Sequence, residues 1–152
     1  MSNMSQRTIL VTGAGGMVGS YVSAAFPQDK LVLTDIHHTS VVLDICDARA
    51  VKEMVKKHKP DIVLHLGAAT DVDYCQQDPD FAYRINTLGT ENVARACRDH
   101  DSVLVYLSTM CVFWGDKVEP YTEDDPPRPK TAYGCTKYYG EQAVRALLMN
   151  YF

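Results

Sequence analysis

The chain has 152 residues, 46% of them hydrophobic and 22% charged, which is the makeup of a soluble globular domain and not of a disordered or fibrous segment. A formal charge of −4 supplies no broad positive field for a phosphate backbone and argues against a nucleic-acid partner. No run approaches the roughly 20 apolar residues of a membrane span, residues 1–6 lack a secretory core, and five scattered cysteines without a C-x-x-C pair suit a reducing cytoplasm.

In chain order, residues 8–12 form a β-rich run that meets glycines and then a helix expected over 17–26, closed by Pro27. Runs at 31–34 and 41–43 read as strands ending at Asp35 and Asp44. Residues 48–58 predict a helix with Val51, Met54 and Val55 on one face, and Pro60 precedes a buried strand at 62–66. From Pro79 the residues Phe81, Ile85, Leu88, Val93 and Ala96 recur at helical intervals, predicting one long helix to Asp99 before a fifth strand at 103–107. Prolines and charge at 114–131 predict an irregular loop, and a last helix runs over 131–150 with no strand after it.

Strands alternating with helices predict a parallel sheet covered on both faces, because parallel neighbours need long crossovers. The expected fold is α/β, a Rossmann-like doubly wound domain spanning residues 1–152. The adjacent His37 and His38 do not project two rings toward one ion from regular structure, so no metal site is expected.

The segment Thr12-Gly13-Ala14-Gly15-Gly16-Met17-Val18-Gly19 lies where the first strand meets the first helix. There Gly13 permits a tight turn, Gly16 a close approach to a pyrophosphate, and Gly19 close packing of helix on sheet, so Gly13, Gly16, Met17, Val18 and Gly19 are candidate dinucleotide contacts. Asp35 is placed either to accept from the adenosine ribose hydroxyls or to cap a turn. In the first role its charge repels a 2′-phosphate and favours NAD(H), with NADP(H) as the alternative. Asp44 and Ile45 either flank the adenine or simply close a turn.

Tyr133 and Lys137 stand four residues apart at helical spacing and share a face. A nearby ammonium is expected to lower the phenol's pKa and make proton transfer practicable at neutral pH. Thr109, after the fifth strand, is placed to steady a substrate oxygen at the carboxyl edge of the sheet.

Taken in order, Thr12-Gly13-x-x-Gly16-x-x-Gly19, Asp44-Ile45-x-Asp47, His65-Leu66-Gly67-Ala68-Ala69, Asn86 within Ile85-Asn86-Thr87-Leu88-Gly89-Thr90, and Tyr133-Gly134-x-Thr136-Lys137 with Gly140-Glu141 resemble the extended short-chain dehydrogenase/reductase family, also called the NAD-dependent epimerase/dehydratase family. The resemblance covers nearly the whole chain. It implies Thr109, Tyr133 and Lys137 as catalytic residues, with Asn86 either a fourth member on a proton path through Lys137 or a pin for its own helix. Leu66, Gly67, Ala68 and Ala69 would line the cofactor, and Lys137 would also hold the nicotinamide ribose. Val72-Asp73-Tyr74-Cys75, Ser108-Thr109-x-x-Val112-Phe113-x-Gly115 and Pro120-Tyr121-x-Glu123 are most similar to the reductases of this family. They imply a nucleotide-sugar substrate, a 4-keto sugar of the dTDP-4-dehydrorhamnose type, with epimerase, dehydratase and non-catalytic dinucleotide-binding readings as alternatives. Two departures stand out: Met110 and Cys111 replace the usual Asp and Tyr after the catalytic threonine, and family members continue into a further strand and a substrate-binding region. The two long helices of relatives often pair across a homodimer interface, although their apolar stripes here equally suit the sheet.

Overall fold

Five parallel strands, β1 (Thr8–Thr12), β2 (Lys30–Asp35), β3 (Val41–Val42), β4 (Ile62–His65) and β5 (Val103–Tyr106), lie in the order β3-β2-β1-β4-β5. This computed structural model describes residues 6–37, 39 and 41–152. His38 of the histidine pair, and residues 1–5 of the polar start, lie outside the described residues.

β1 sits in the middle because its apolar run can be buried on both sides, as parallel strands require. Leu10 joins Val32, Val63 and Leu104 on one face, while Ile9 and Val11 point to the other with Leu31, Leu33, Ile62 and Leu64. The first face is covered by α2 (Ala48–His58), α5 (Thr90–His100) and α6 (Ala132–Leu147), which contribute Val51, Val55, Val93, Ala96, Cys97 and Val144. The second face receives Val22 and Phe26 from around α1 (Val22–Ala25). Helices therefore lie on both faces, but unequally.

Local chemistry sets the helix ends. Asp47 accepts from Ala50 N to start α2, whose last turn carries Lys56, Lys57 and His58 against the negative end of the helix dipole. Thr131 caps α6 by accepting from Gly134 N at 3.0 Å.

Several expectations are corrected. The first helix is much shorter than residues 17–26: residues 13–18 stay in turns, a 3₁₀ turn follows at Gly19–Tyr21, and only Val22–Ala25 is α-helical. Among the described residues no helix joins β2 to β3. A helix that the sequence reading missed, α3 (Val72–Gln77), is capped by Asp71. The single long helix from Pro79 is instead α4 (Pro79–Tyr83), a π-helical turn at Arg84–Gly89, and α5. Thr90 Oγ1 donates to the carbonyl of Asn86 at 2.8 Å inside that widened turn, and a Cβ on Gly89 would stand 2.8 Å from Ile45 Cγ1, so the turn seats directly on the end of β3. Finally, the chain does pair after α6: Phe152 N donates to Leu104 O at 2.9 Å and Tyr106 N to Phe152 O at 2.8 Å, a parallel bridge on the outer edge of β5. Among the described residues no helix is long and apolar enough to cross a membrane.

Candidate active site

The strand order reverses around β1, with β2 on one side and β4 on the other, and a crevice opens where such a sheet splits its crossovers. Gly13, at φ 73°, begins the turn after β1 in a left-handed conformation that suits glycine. A Cβ there would stand 2.5 Å from Gly67 N, so the loops after β1 and β4 touch backbone to backbone. The crevice is a groove of about 1050 Å3. Its floor and near wall are Gly13, Gly16, Met17, Val18 and Gly19, and its far wall is Leu66, Gly67, Ala68 and Ala69. Asp35, Asp44 and Ile45 close the end beside β2 and β3. Every residue predicted only for cofactor binding thus lines one cavity.

The acids do more than the sequence indicated. Asp35 accepts from Gly15 N at 2.9 Å and from His37 N at 3.2 Å, tying the glycine turn to the end of β2. Asp44 accepts from Cys46 N at 2.8 Å, the turn-closing alternative, while its side lines the groove. Ile45 is buried between Gly67 and Gly89. Gly15, Cys46, Thr70, Phe81, Arg84 and Leu107 also line the groove and were not anticipated. Gly15 was discernible as the second glycine of its segment; Phe81 is brought there by α4 and Arg84 by the π turn that follows it.

Behind the far wall runs a buried polar chain. His65, 1% exposed, stands between Thr12 Oγ1 at 2.6 Å and Thr90 Oγ1 at 3.0 Å. Since Thr90 gives its proton to Asn86 O, His65 donates to Thr90 from Nε2, and in the neutral ring Nδ1 accepts from Thr12. Burial first, and then the Lys137 cation, push its pKa down to about 3. Asn86 is fully buried; its Oδ1 accepts from Ala69 N at 2.8 Å, and its Nδ2 donates to Ala69 O at 3.0 Å and Thr136 Oγ1 at 3.2 Å. The amide of Asn86 is therefore bonded to the groove wall and to α6.

Thr109, Tyr133 and Lys137 are not among the groove-lining residues; Lys137 reaches the groove's edge through Leu107, which is. Lys137, 3% exposed, donates from Nζ to Leu107 O at 2.7 Å and lies 4.2 Å from the Tyr106 ring centre. Burial holds its pKa down to about 8, with Glu141 pulling the other way. The Thr109 hydroxyl favours the ionised form of the Tyr133 phenol, but burial dominates and Tyr133 titrates above the usual range for a phenol. This corrects the expectation that Lys137 would lower it. The lysine is turned toward Leu107 and Tyr106, and the residue acting directly on the phenol is Thr109.

Residues 7–152 match the family described as RmlD substrate binding domain. The chain belongs to that family. It is 40% identical over 139 residues to dTDP-4-dehydrorhamnose reductase of Streptomyces griseus, covering 91% of this chain and 45% of that protein. It is 33% identical over 143 residues to methionine adenosyltransferase 2 subunit beta of Xenopus tropicalis, covering 91% and 42%. A solved dTDP-4-dehydrorhamnose reductase from Bacillus anthracis, in complex with NADP, superposes with a TM-score of 0.93 at 36% identity, over 99% of this chain and 53% of that one. The resemblance to the extended short-chain dehydrogenases, and within them to these reductases, is borne out, as is the Rossmann-like fold. The chain spans about half the length of the relatives it matches.

Proposed function

We propose that this chain is the dinucleotide-binding part of an NAD(P)-dependent sugar-nucleotide reductase acting on a 4-keto sugar of the dTDP-4-dehydrorhamnose type. What supports the reading is a glycine-walled groove large enough for a dinucleotide, with Lys137 bonded to Leu107 of its lining and Tyr133 one turn before Lys137 on α6. The groove fits that group: at Gly13 any side chain would fill the space between the two loops, leaving only backbone where a pyrophosphate needs close approach.

The bound nicotinamide supplies the hydride. In this chain Tyr133 gives its proton to the sugar's C4 oxygen, Thr109 holds the same oxygen and the phenol together, and the Lys137 ammonium orients the nicotinamide ribose. Asn86 fixes Ala69 in the wall, and Leu66, Gly67 and Ala68 keep that wall low. Asp35 favours NAD(H), with NADP(H), the ligand named for the Bacillus anthracis structure, as the alternative. Two copies pair through the exposed Tyr83, Leu88 and Tyr139 on the helices at residues 79–100 and 132–147.

Titration of the purified chain with NADH, following fluorescence and melting temperature together, tests the groove, since a ligand of the folded state alone raises stability. Tyr133→Phe should abolish turnover of a keto-sugar nucleotide by the active protein and leave NADH binding intact; loss of binding would remove Tyr133 from the proton-donor role. Asp35→Ala should improve NADP binding relative to NAD, and an unchanged ratio discards the ribose assignment. Light scattering at twice the chain mass supports the dimer, and a monomer at high concentration refutes it. The similarity to methionine adenosyltransferase 2 subunit beta, a name that carries no reductase activity, favours a second reading, a module that holds a dinucleotide without turnover. Saturable NADH binding with no turnover on any keto-sugar nucleotide would select it.

A further inference from the structure

Three consecutive residues after β5 are each tied to α6. Leu107 O accepts from Lys137 Nζ, Ser108 Oγ donates to the Glu141 carboxylate, and the Thr109 hydroxyl stands near enough to the Tyr133 phenol to favour its ionised form. The three helix partners fall at successive turns of one face. The outer two ties use residues already placed in the chemistry; the middle one joins Ser108 to a carboxylate with no assigned task. We propose that Glu141 is a positioning residue: it clamps Ser108, and with it Leu107 and Thr109, onto α6, and it sets a carboxylate one helical turn from the Lys137 ammonium. This rests on the reductase reading for its consequence, though not for its test.

The side chain of Glu141 is 16% exposed, and its other charged neighbour, Arg145, lies 3.9 Å away with more than half of its side chain in solvent. A carboxylate so placed is shielded little and is held by a charge-assisted hydrogen bond. Lys137 is pressed on from several elements. The Tyr106 ring of β5 faces its ammonium at 4.2 Å; His65 of β4 lies near enough to feel its charge; Tyr133 precedes it by one turn of α6. His65 is neutral and both phenols titrate above their ordinary range, so none of these supplies a negative charge at neutral pH. Glu141, one turn further on, does, and it opposes the burial that drives the proton off. Without the proton, Lys137 loses its charge for the ribose and one of its donors.

The test is an NMR titration of lysine side chains in this chain without added ligand, with Lys137 assigned through Lys137→Arg. The wild-type midpoint is expected at about 8. Glu141→Gln, which keeps an acceptor for Ser108 but not the charge, should lower the midpoint by about one unit, the low end of what a neighbouring opposite charge does. An unmoved midpoint in the folded variant overturns the electrostatic role. Glu141→Asp, which retains the charge but withdraws it by one methylene, should give a smaller fall and decides the matter if the Gln variant does not fold. Ser108→Ala should leave the midpoint in place and speed amide exchange at Cys111 and Val112 by about tenfold, on the scale of one hydrogen bond to a charged group; unchanged exchange removes the clamp. A wild-type chain that fails to bind NADH would sink the reductase reading while leaving these outcomes readable.

Discussion

Replacing Asn86 by Ala would strip the groove wall of its support. The side chain makes three hydrogen bonds, two of them to both backbone groups of Ala69 and one to Thr136 Oγ1. Truncation leaves the Ala69 N–H without its partner, and such an orphan costs about 1–3 kcal/mol when buried. The carbonyl keeps a weaker donor in Cys75 Sγ at 3.6 Å, and Thr136 still has the Tyr133 carbonyl at 3.0 Å. Ala69 is only partly buried, so water recovers some of the loss. A net destabilisation of about 2–3 kcal/mol follows, equivalent to a fall in melting temperature of roughly 4–12 °C for a chain of this size. Urea unfolding with an unchanged m-value measures it, and NADH affinity should fall with it because Ala68 and Ala69 line the groove. A change below about 0.5 kcal/mol, typical of a surface substitution, would refute the account of Asn86 as the pin between wall and helix.

Gly13→Ala adds a Cβ 2.5 Å from Gly67 N at a left-handed φ, so it should cost at least about 1–2 kcal/mol in backbone strain alone and also abolish NADH binding; a stable variant that binds normally would show the loops free to part. His65 stays neutral in the fold while it protonates in the unfolded chain. Stability is therefore complete above pH 6.5 and drains as pH falls toward 3, at about 1.4 kcal/mol per unit from this residue. Comparing urea midpoints at pH 7 and 5 for wild type and His65→Gln checks the slope, which should be shallower in the variant. Lys137 has the same sign of linkage as His65: its burial penalty is fully present below about pH 8 and is relieved as pH rises from there toward the ordinary lysine value of 10.5. Lys137→Met should accordingly stabilise the fold at pH 7, by about 3 kcal/mol at most, while weakening NADH binding; a destabilised variant would mean that the bonds to Leu107 and the Tyr106 ring outweigh desolvation.

The groove was legible because backbone chemistry dictated it. Glycines at Gly13, Gly16 and Gly19, and acids at strand ends, mean much the same wherever a parallel strand hands over to a helix, so Asp35, Asp44 and the β4 wall fell into place together. Elements set by tertiary fit were not legible. The apolar spacing from Pro79 to Asp99 is compatible with one regular helix, and only the seating of Gly89 on Ile45 and the Thr90 bond back to Asn86 reveal a π turn. α3 escaped because six residues are too few to show a period, although Asp71 capping it and Asp78-Pro79 opening the next helix were signals in plain view. The Tyr133 pKa was misjudged since spacing along a helix says which residues share a face and nothing about how deeply each is buried or which way Lys137 turns.

The π turn also sets a rule about chain length. A π turn holds one residue more than an α turn in nearly the same arc, so deleting a single residue within Arg84–Gly89 would restore ordinary winding and leave Val93, Ala96 and Cys97 facing the core they share with Val51 and Val55. Within α5 there is no such slack: each residue advances the helix by about 100°, and one added or removed there would swing the residues beyond it off that core. The π turn is thus the point at which this stretch can change length by one residue, as the exposed stretch from Trp114 to Lys130 is for larger changes.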